Sequence, residues 1–347
     1  MAVETGAEPI PTLLLTGFLG SGKTTVLNAV LRAPEMRETA VLVNEFGAVG
    51  IDHLLVEALD DDVVLLNAGC LCCTIRGDIV DSLSSLFERR ASGTIPAFRR
   101  AIIETTGLAD PAPILHTLLS HEAVRERYRM DAIVATVDAV NGDRQLSEHD
   151  ESVKQVAVAD RLLITKSDLA GRSSVDALRA RLEAINPAAP IAVAVHGSIK
   201  SGSSIGHMLF EKDGGPVDVN RWLAAAEGAR SSDGHGHDAH GTSRHDDRIR
   251  QLSIETGEVI EAHRLIGWIE RLLATEGDRV LRLKGVLDLK GSDVPVVVHG
   301  VQHVFHPLAR LARWPGGERR SRLVIIAKDL ALDSVEESFR RSVLARP

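Results

Sequence analysis

The 347-residue chain is short of aromatic residues and shorter still of cysteine, with one Tyr, three Trp, seven Phe and three Cys. Aromatics at 3% leave Leu, Val, Ile and Ala to fill a core, and an apolar content of 44% is ample for that. A basic excess is also missing. Lys and Arg number 40 against 48 Asp and Glu, and the net charge of −8 argues against a nucleic-acid partner, which needs a basic footprint to displace counterions. No apolar run approaches the ~20 residues that cross a bilayer, so no membrane partner is expected. The start of the chain, Met1 to Glu8, has neither the basic nor the apolar region of a signal peptide. A cytoplasmic setting is expected, where thiols stay reduced.

What is present alternates. Apolar runs at Thr12–Thr16, Ala40–Asn44, Val63–Leu66, Ala101–Glu104, Ala132–Asp138, Arg161–Thr165 and Ile191–Val195 read as strands. Amphipathic helical stretches lie between most of them, at Thr25–Arg32, Asp78–Arg90, Pro113–Leu119 and Val175–Ala184. The strand runs alternate little, as strands buried on both faces of a parallel sheet do. The pattern predicts a doubly wound, mostly parallel α/β domain over residues 1–227. Residues 228–248 turn to Ser, Gly, Asp and His and read as a flexible linker. Beyond it, strands at Arg250–Ile254, Leu281–Leu287, Val294–His299 and Arg322–Ala327, with helices at Ile260–Leu273 and Val335–Val343, predict a smaller α+β domain over 249–347.

Gly17-Phe-Leu-Gly20-Ser21-Gly22-Lys23-Thr24 matches the P-loop pattern in full, between an apolar strand and a helix start. Gly20 and Gly22 can take the backbone angles that turn amide N–H groups toward phosphates. Lys23 supplies a cation to the β- and γ-phosphates, and the Thr24 hydroxyl is placed to ligate Mg²⁺. Thr165-Lys166-Ser-Asp168 closes a later strand. A carboxylate there can accept both guanine N1–H and N2–H, and a Lys stem can pack along the base, which favours GTP over ATP. Ile102-Ile-Glu104-Thr-Thr-Gly107 ends another strand in a carboxylate that faces Mg²⁺ and a Gly amide that can sense the γ-phosphate. Lys23 and Glu104 are the candidate catalytic residues; whether Glu104 is the general base stays open.

All three cysteines fall within four positions, Cys70, Cys72 and Cys73. In a reducing compartment such a cluster reads as a metal site rather than a disulfide. Thiolates suit Zn²⁺, with Co²⁺ or Fe²⁺ as alternatives, and three ligands leave a fourth position open, which suits an ion that must leave again. Glu45, in Asn44-Glu-Phe-Gly47, is a further candidate for this ion or for Mg²⁺.

Together these motifs resemble the CobW-like family of P-loop GTPases, relatives of the nickel-inserting urease and hydrogenase GTPases. The resemblance rests on Gly17 to Thr25, Asn44 to Gly47, Cys70-Leu-Cys-Cys73, Glu104-Thr-Thr-Gly-Leu-Ala-Asp-Pro111 and Thr165 to Asp168. It continues in Gly300-Val-Gln-His-Val-Phe-His-Pro307, Trp314-Pro315 and Ser321 to Ala327, and so spans nearly the whole chain. It implies a CobW-type C-terminal domain, slow GTP hydrolysis coupled to metal handling at the Cys motif, and transfer to a client metalloprotein. It also implies a homodimer that changes with nucleotide. Ala48 departs from the pattern, since many members carry Glu there. Two rival readings stay open: a metal-buffering or storage protein, and a GTP-driven activator with a static structural metal. His235, His237, His240 and His245 in the linker are a compositional metal-binding candidate. For His299, His303 and His306, ordinary packing is the simpler expectation.

Overall fold

The computed structural model describes residues 8–44, 63–68, 75–195, 198–199, 248–305 and 308–344. The chain divides into two compact units, Met1–Ala180 with Pro190–Gly214, and Arg181–Ala189 with Gly215–Pro347.

The first unit is built on strands β1 (Ile10–Gly17), β2 (Thr39–Asn44), β3 (Val63–Ala68), β4 (Arg100–Glu104), β5 (Tyr128–Asp138), β6 (Arg161–Thr165) and β7 (Ile191–Val195). They lie in the order β3-β2-β4-β1-β5-β6-β7, all parallel, and a two-residue strand β8 (Ser198–Ile199) pairs antiparallel at the end. Strand β1 is central, and Leu13, Leu14 and Leu15 are buried on both faces, which is why the run does not alternate. Helix α1 (Lys23–Leu31) lays Val26, Leu27, Val30 and Leu31 against Leu13, Leu15, Val41, Ile102 and Val134. Helices α2 (Ile75–Ala91), α3 (Ala112–Ser120) and α4 (Glu122–Arg125) follow in the chain, and α2 is tied to β5 by Tyr128, whose hydroxyl donates to Leu83 O at 2.9 Å.

Two helices between β5 and β6 have no counterpart in the expected elements: α5 (Gly142–Glu148) and α6 (Asp150–Val158). Their buried faces include Gln145, Ser152 and Gln155, polar side chains that hide the apolar period. Strand β5 also starts before the expected Ala132, because Tyr128, Arg129 and Met130 pair with β1 ahead of a register shift at Thr12/Leu13. Helix α7 (Arg172–Ile185) leads to β7.

The second unit is an antiparallel sheet of β9 (Ile249–Thr256), β10 (Val280–Leu287), β11 (Val296–Val301), β12 (Val304–Phe305), β13 (Ala309–Arg310) and β14 (Ser321–Lys328). Its order is β12-β11-β10-β14-β9, with β13 beside β11. Helices α8 (Ala262–Glu276) and α9 (Leu332–Phe339) share one core with Leu252, Leu283, Val298 and Ile325. Trp268 meets Phe339 edge-on at 5.0 Å, and its indole N–H donates to Ser338 Oγ at 3.2 Å. Among the described residues, no helix is long and apolar enough to cross a membrane.

Candidate nucleotide site

Strand β1 delivers the chain into a loop that only glycine can follow at its first position. Gly17 has φ +141°, and a Cβ there would stand 2.3 Å from Thr136 Oγ1 and 2.5 Å from Thr136 O. Gly20 and Gly22 are also left-handed, at φ 70° and 88°, and Gly22 caps α1 so that the first-turn amides open toward the loop. Hydroxyls hold the loop from beneath. Ser21 Oγ and Thr136 Oγ1 are 2.6 Å apart, and Thr165 Oγ1 donates to Ser21 O at 2.6 Å and to Val137 O at 3.2 Å. The buried Lys23 ammonium donates to Gly17 O at 2.9 Å and Phe18 O at 3.3 Å, so a cation lies within the loop it follows. Thr25 is exposed on the first turn of α1.

Parallel pairing of β4 with β1 sets Glu104 beside Leu15, at the same sheet edge as the loop. Thr24 Oγ1 donates to Glu104 Oε1 at 3.0 Å, bringing together the two residues expected around Mg²⁺. Glu104 is only 5% exposed. The chain beyond it is fastened to β1, with Thr105 N–H on Leu15 O at 2.9 Å and Thr105 Oγ1 donating to Thr16 Oγ1 at 2.9 Å. Gly107 then runs against the loop so closely that a Cβ would lie 2.5 Å from Leu19 N.

At the other end of the site, Lys166 takes a left-handed φ of 54°, and its ammonium donates to Asp138 Oδ2 at 2.9 Å. Asp138 ends β5 and is 1% exposed. It also accepts Val140 N–H at 2.8 Å and the Asn141 amide at 3.0 Å. Burial alone would raise its pKa, but the Asn141, Lys166 and Val140 hydrogen bonds outweigh it and hold the carboxyl below the ordinary value. Asp168 stands exposed beyond Lys166.

Asp138 went unforeseen as a site residue, although an Asp closing an apolar strand is a usable cue. Gln145, which donates to Leu19 O at 3.3 Å, and His149, stacked on Phe18 at 4.5 Å, carry no such cue. Glu45, Cys70, Cys72, Cys73, His306 and the linker residues 228–247 lie outside the described residues. Among the described residues, no group of three His, Cys, Asp or Glu is gathered for a metal. His303 Nε2 sits 3.0 Å from Asp278 Oδ1, an exposed surface pair.

The family model for the CobW/HypB/UreG nucleotide-binding domain matches residues 11–193, which is more than half of the chain. The chain belongs to the CobW family of P-loop GTPases. The model for the cobalamin synthesis protein CobW C-terminal domain matches residues 249–343. Among CobW-family relatives, the zinc chaperone YjiA of Escherichia coli is 33% identical over 96% of this chain and 98% of its own length. The zinc chaperone CobW of Sinorhizobium sp is 27% identical, over 96% of each. A zinc-bound triple mutant of the YjiA GTPase superposes with a TM-score of 0.71 at 29% identity, over 97% of this chain and 99% of that one. Fold and family together make this protein a GTPase: the P-loop, the Thr24–Glu104 pair and the Lys166 strand end stand along one sheet edge, on β1, β4 and β6 within the run β4-β1-β5-β6.

Proposed function

We propose that the protein is a GTP-hydrolysing metallochaperone that holds Zn²⁺ through Cys70, Cys72 and Cys73 and gives it up to a client metalloprotein. The observation that carries this is the sheet register. Asn44 pairs with Ala68, Val43 with Glu104, and Glu104 with Leu15, so β3, β2, β4 and β1 end in line. The chain therefore leaves β2 into Glu45, and leaves β3 two residues before Cys70, at the edge that holds the P-loop. Three strand spacings put the end of β3 roughly 14 Å from that of β1. This is close enough for one loop rearrangement to touch both sites.

The donor chemistry fits two different ions. The Thr24 hydroxyl and Glu104 carboxylate are hard oxygen donors beside the phosphate loop, suited to Mg²⁺. When bound, that ion neutralises charge on the β- and γ-phosphates. Around it, the loop amides and Lys23 bind the phosphates, and Lys166 and Asp168 receive the guanine. Three thiolates suit Zn²⁺, with Co²⁺ and Fe²⁺ as weaker fits for the same site, and the zinc-chaperone names of the relatives support zinc as cargo. Water converts GTP to GDP and phosphate, and the loss of the γ-phosphate relaxes the Glu45–Cys73 segment and releases the ion.

A single-turnover experiment tests this. Protein loaded with GTP and Zn²⁺ is mixed with a chromophoric chelator while phosphate release is followed. Zinc transfer is expected to keep pace with phosphate release and to stop in Lys23→Ala. Zinc that stays bound through a complete turnover would replace this reading with the static-metal activator.

A further inference from the structure

Helix α6 reaches the turn after β4 through two consecutive side chains. Gln155 is 1% exposed, and its amide NH₂ donates to Gly107 O at 3.2 Å and to Ala109 O at 3.1 Å. Two carbonyl acceptors dictate which end of the amide faces the turn. Lys154 Nζ donates to Asp110 Oδ2 at 2.8 Å, while Asp110 Oδ1 accepts Ala112 N–H at 3.0 Å. Burial works against the Lys154 charge, but the hydrogen bond and the charge of Asp110 outweigh it and raise the Lys154 pKa. On its other side the turn presses on the P-loop at Leu19, whose carbonyl is held by Gln145 of α5. The Gly107 turn is thus gripped between the phosphate loop and α6.

One atom of this grip is left over. Gln155 Oε1 is enclosed and has no hydrogen-bond partner among the described residues. A buried amide oxygen without a donor is costly, and such an atom calls for a partner. The gripped turn contains the donors. Ala109 N–H is spent on Thr106 O at 3.1 Å in the arrangement seen, and a rotation of the turn would offer a peptide N–H to α6 instead.

We propose that Gln155 is the positioning residue that sets the Gly107 turn for the γ-phosphate, trading carbonyl acceptors for a peptide donor as the turn moves between the triphosphate and diphosphate states. The proposal rests on the reading of Gly107 as the γ-phosphate sensor. An amide suits the task because it offers both a donor and an acceptor without charge, on separate atoms at the end of a side chain long enough to reach the turn. Helix α6 ends three residues after Gln155, and the chain enters β6 at Arg161, the strand whose far end carries Thr165.

The test uses Gln155→Leu, Gln155→Glu and Gly107→Ala in the full chain, with GDP affinity and melting temperature as folding controls. Gln155→Leu is expected to lower kcat for GTP about ten-fold or more and to erase the preference for a GTP analogue over GDP. Its GDP affinity should stay within about two-fold of the native value. Gln155→Glu aims a carboxylate at two carbonyls and becomes a donor only when protonated. Its kcat relative to native should therefore rise as pH falls from about 8 to about 5.5, since burial lifts the carboxyl pKa into that range. A flat ratio across pH, or equal losses of GTP-analogue and GDP affinity in Gln155→Leu, would overturn the proposal and leave Gln155 as packing. If Gly107→Ala keeps native discrimination, the sensor reading fails; if it abolishes discrimination while Gln155→Leu retains it, the Gln155 proposal alone fails. Should Gln155→Leu not fold, the pH series within Gln155→Glu decides.

Discussion

In the parallel sheet, four buried polar groups meet at the edge where the strands end, Lys23 after β1, Glu104 at the end of β4, Asp138 at the end of β5 and Thr165 at the end of β6, while Thr39, Asp160 and Arg161 are buried at the opposite edge. Strands β4, β1, β5 and β6 are neighbours, and the loops they feed contain left-handed Gly20, Gly22 and Lys166. In the second unit, the buried polar groups Asp288 and Ser321 pair within the unit. Asp288, 3% exposed, takes two hydrogen bonds from Arg319 at 2.8 and 2.9 Å, its own N–H goes to Ser321 Oγ at 2.8 Å, and Trp268 satisfies its indole on Ser338. The first arrangement holds buried charge and backbone strain in register for a ligand; the second uses polar groups to complete a packed core. Substitutions should therefore separate activity from stability according to the sheet they touch.

The largest separation is expected at Lys23. Lys23→Ala removes the cation from the phosphate loop and should lower kcat by roughly 10²–10³-fold, as loss of a preorganised charge at a transition state does. The melting temperature should move little. A kcat within about three-fold of native would break the assignment of this loop to catalysis.

Trp268→Ala should do the reverse. It empties the centre of the second core, at a cost of about 3–5 kcal/mol in denaturant unfolding. Turnover per folded molecule should be kept. A stability change below about 1 kcal/mol would mean that Trp268 does not anchor this core.

Asp138 lies between these extremes, because its carboxylate is both buried and part of the site. Its native pKa is depressed, so its contribution to stability is complete above the unfolded-state value of about 3.9 and is lost as pH falls through the native value. Asp138→Asn should cost about 1–3 kcal/mol at neutral pH, raise KM for GTP by loosening Lys166, and flatten the loss of stability below about pH 4. Urea midpoints measured across pH check this. An unchanged acid limb would mean that the Asp138 ion pair contributes nothing to folding.

The smallest effect belongs to exposed pairs such as Arg340 with Glu336 on the surface of the second unit. Arg340→Ala should cost no more than about 0.5 kcal/mol by the same denaturant measurement.

Much of this is legible in the sequence. Strands β6 and β7 run over the expected Arg161–Thr165 and Ile191–Val195, and the P-loop is legible because Gly, Lys and Thr follow an apolar strand at a spacing that phosphates demand. What stayed hidden had physical reasons. Helices α5 and α6 bury glutamines rather than a continuous apolar stripe, so their periodicity is broken where they grip the site. Strand β11 starts at Val296 rather than Val294, just after Pro295, which has no N–H to give a ladder. The two-residue strands β8, β12 and β13 are too short for any alternation to register. The Asp138–Lys166 and Gln155–Gly107 contacts join residues 28 and 48 positions apart, a distance over which side-chain pairing leaves no local pattern.

The central claim is that nucleotide state and thiol-bound metal are coupled. Its most direct test is the Zn²⁺ affinity of the full chain by chelator competition, with Mg²⁺–GTP analogue and with Mg²⁺–GDP, beside a variant with Cys70, Cys72 and Cys73 all changed to Ser. The account predicts tighter zinc in the triphosphate state, an equal tightening of the GTP analogue by zinc through linkage, and loss of both in the serine variant. Equal zinc affinity in the two nucleotide states would contradict it.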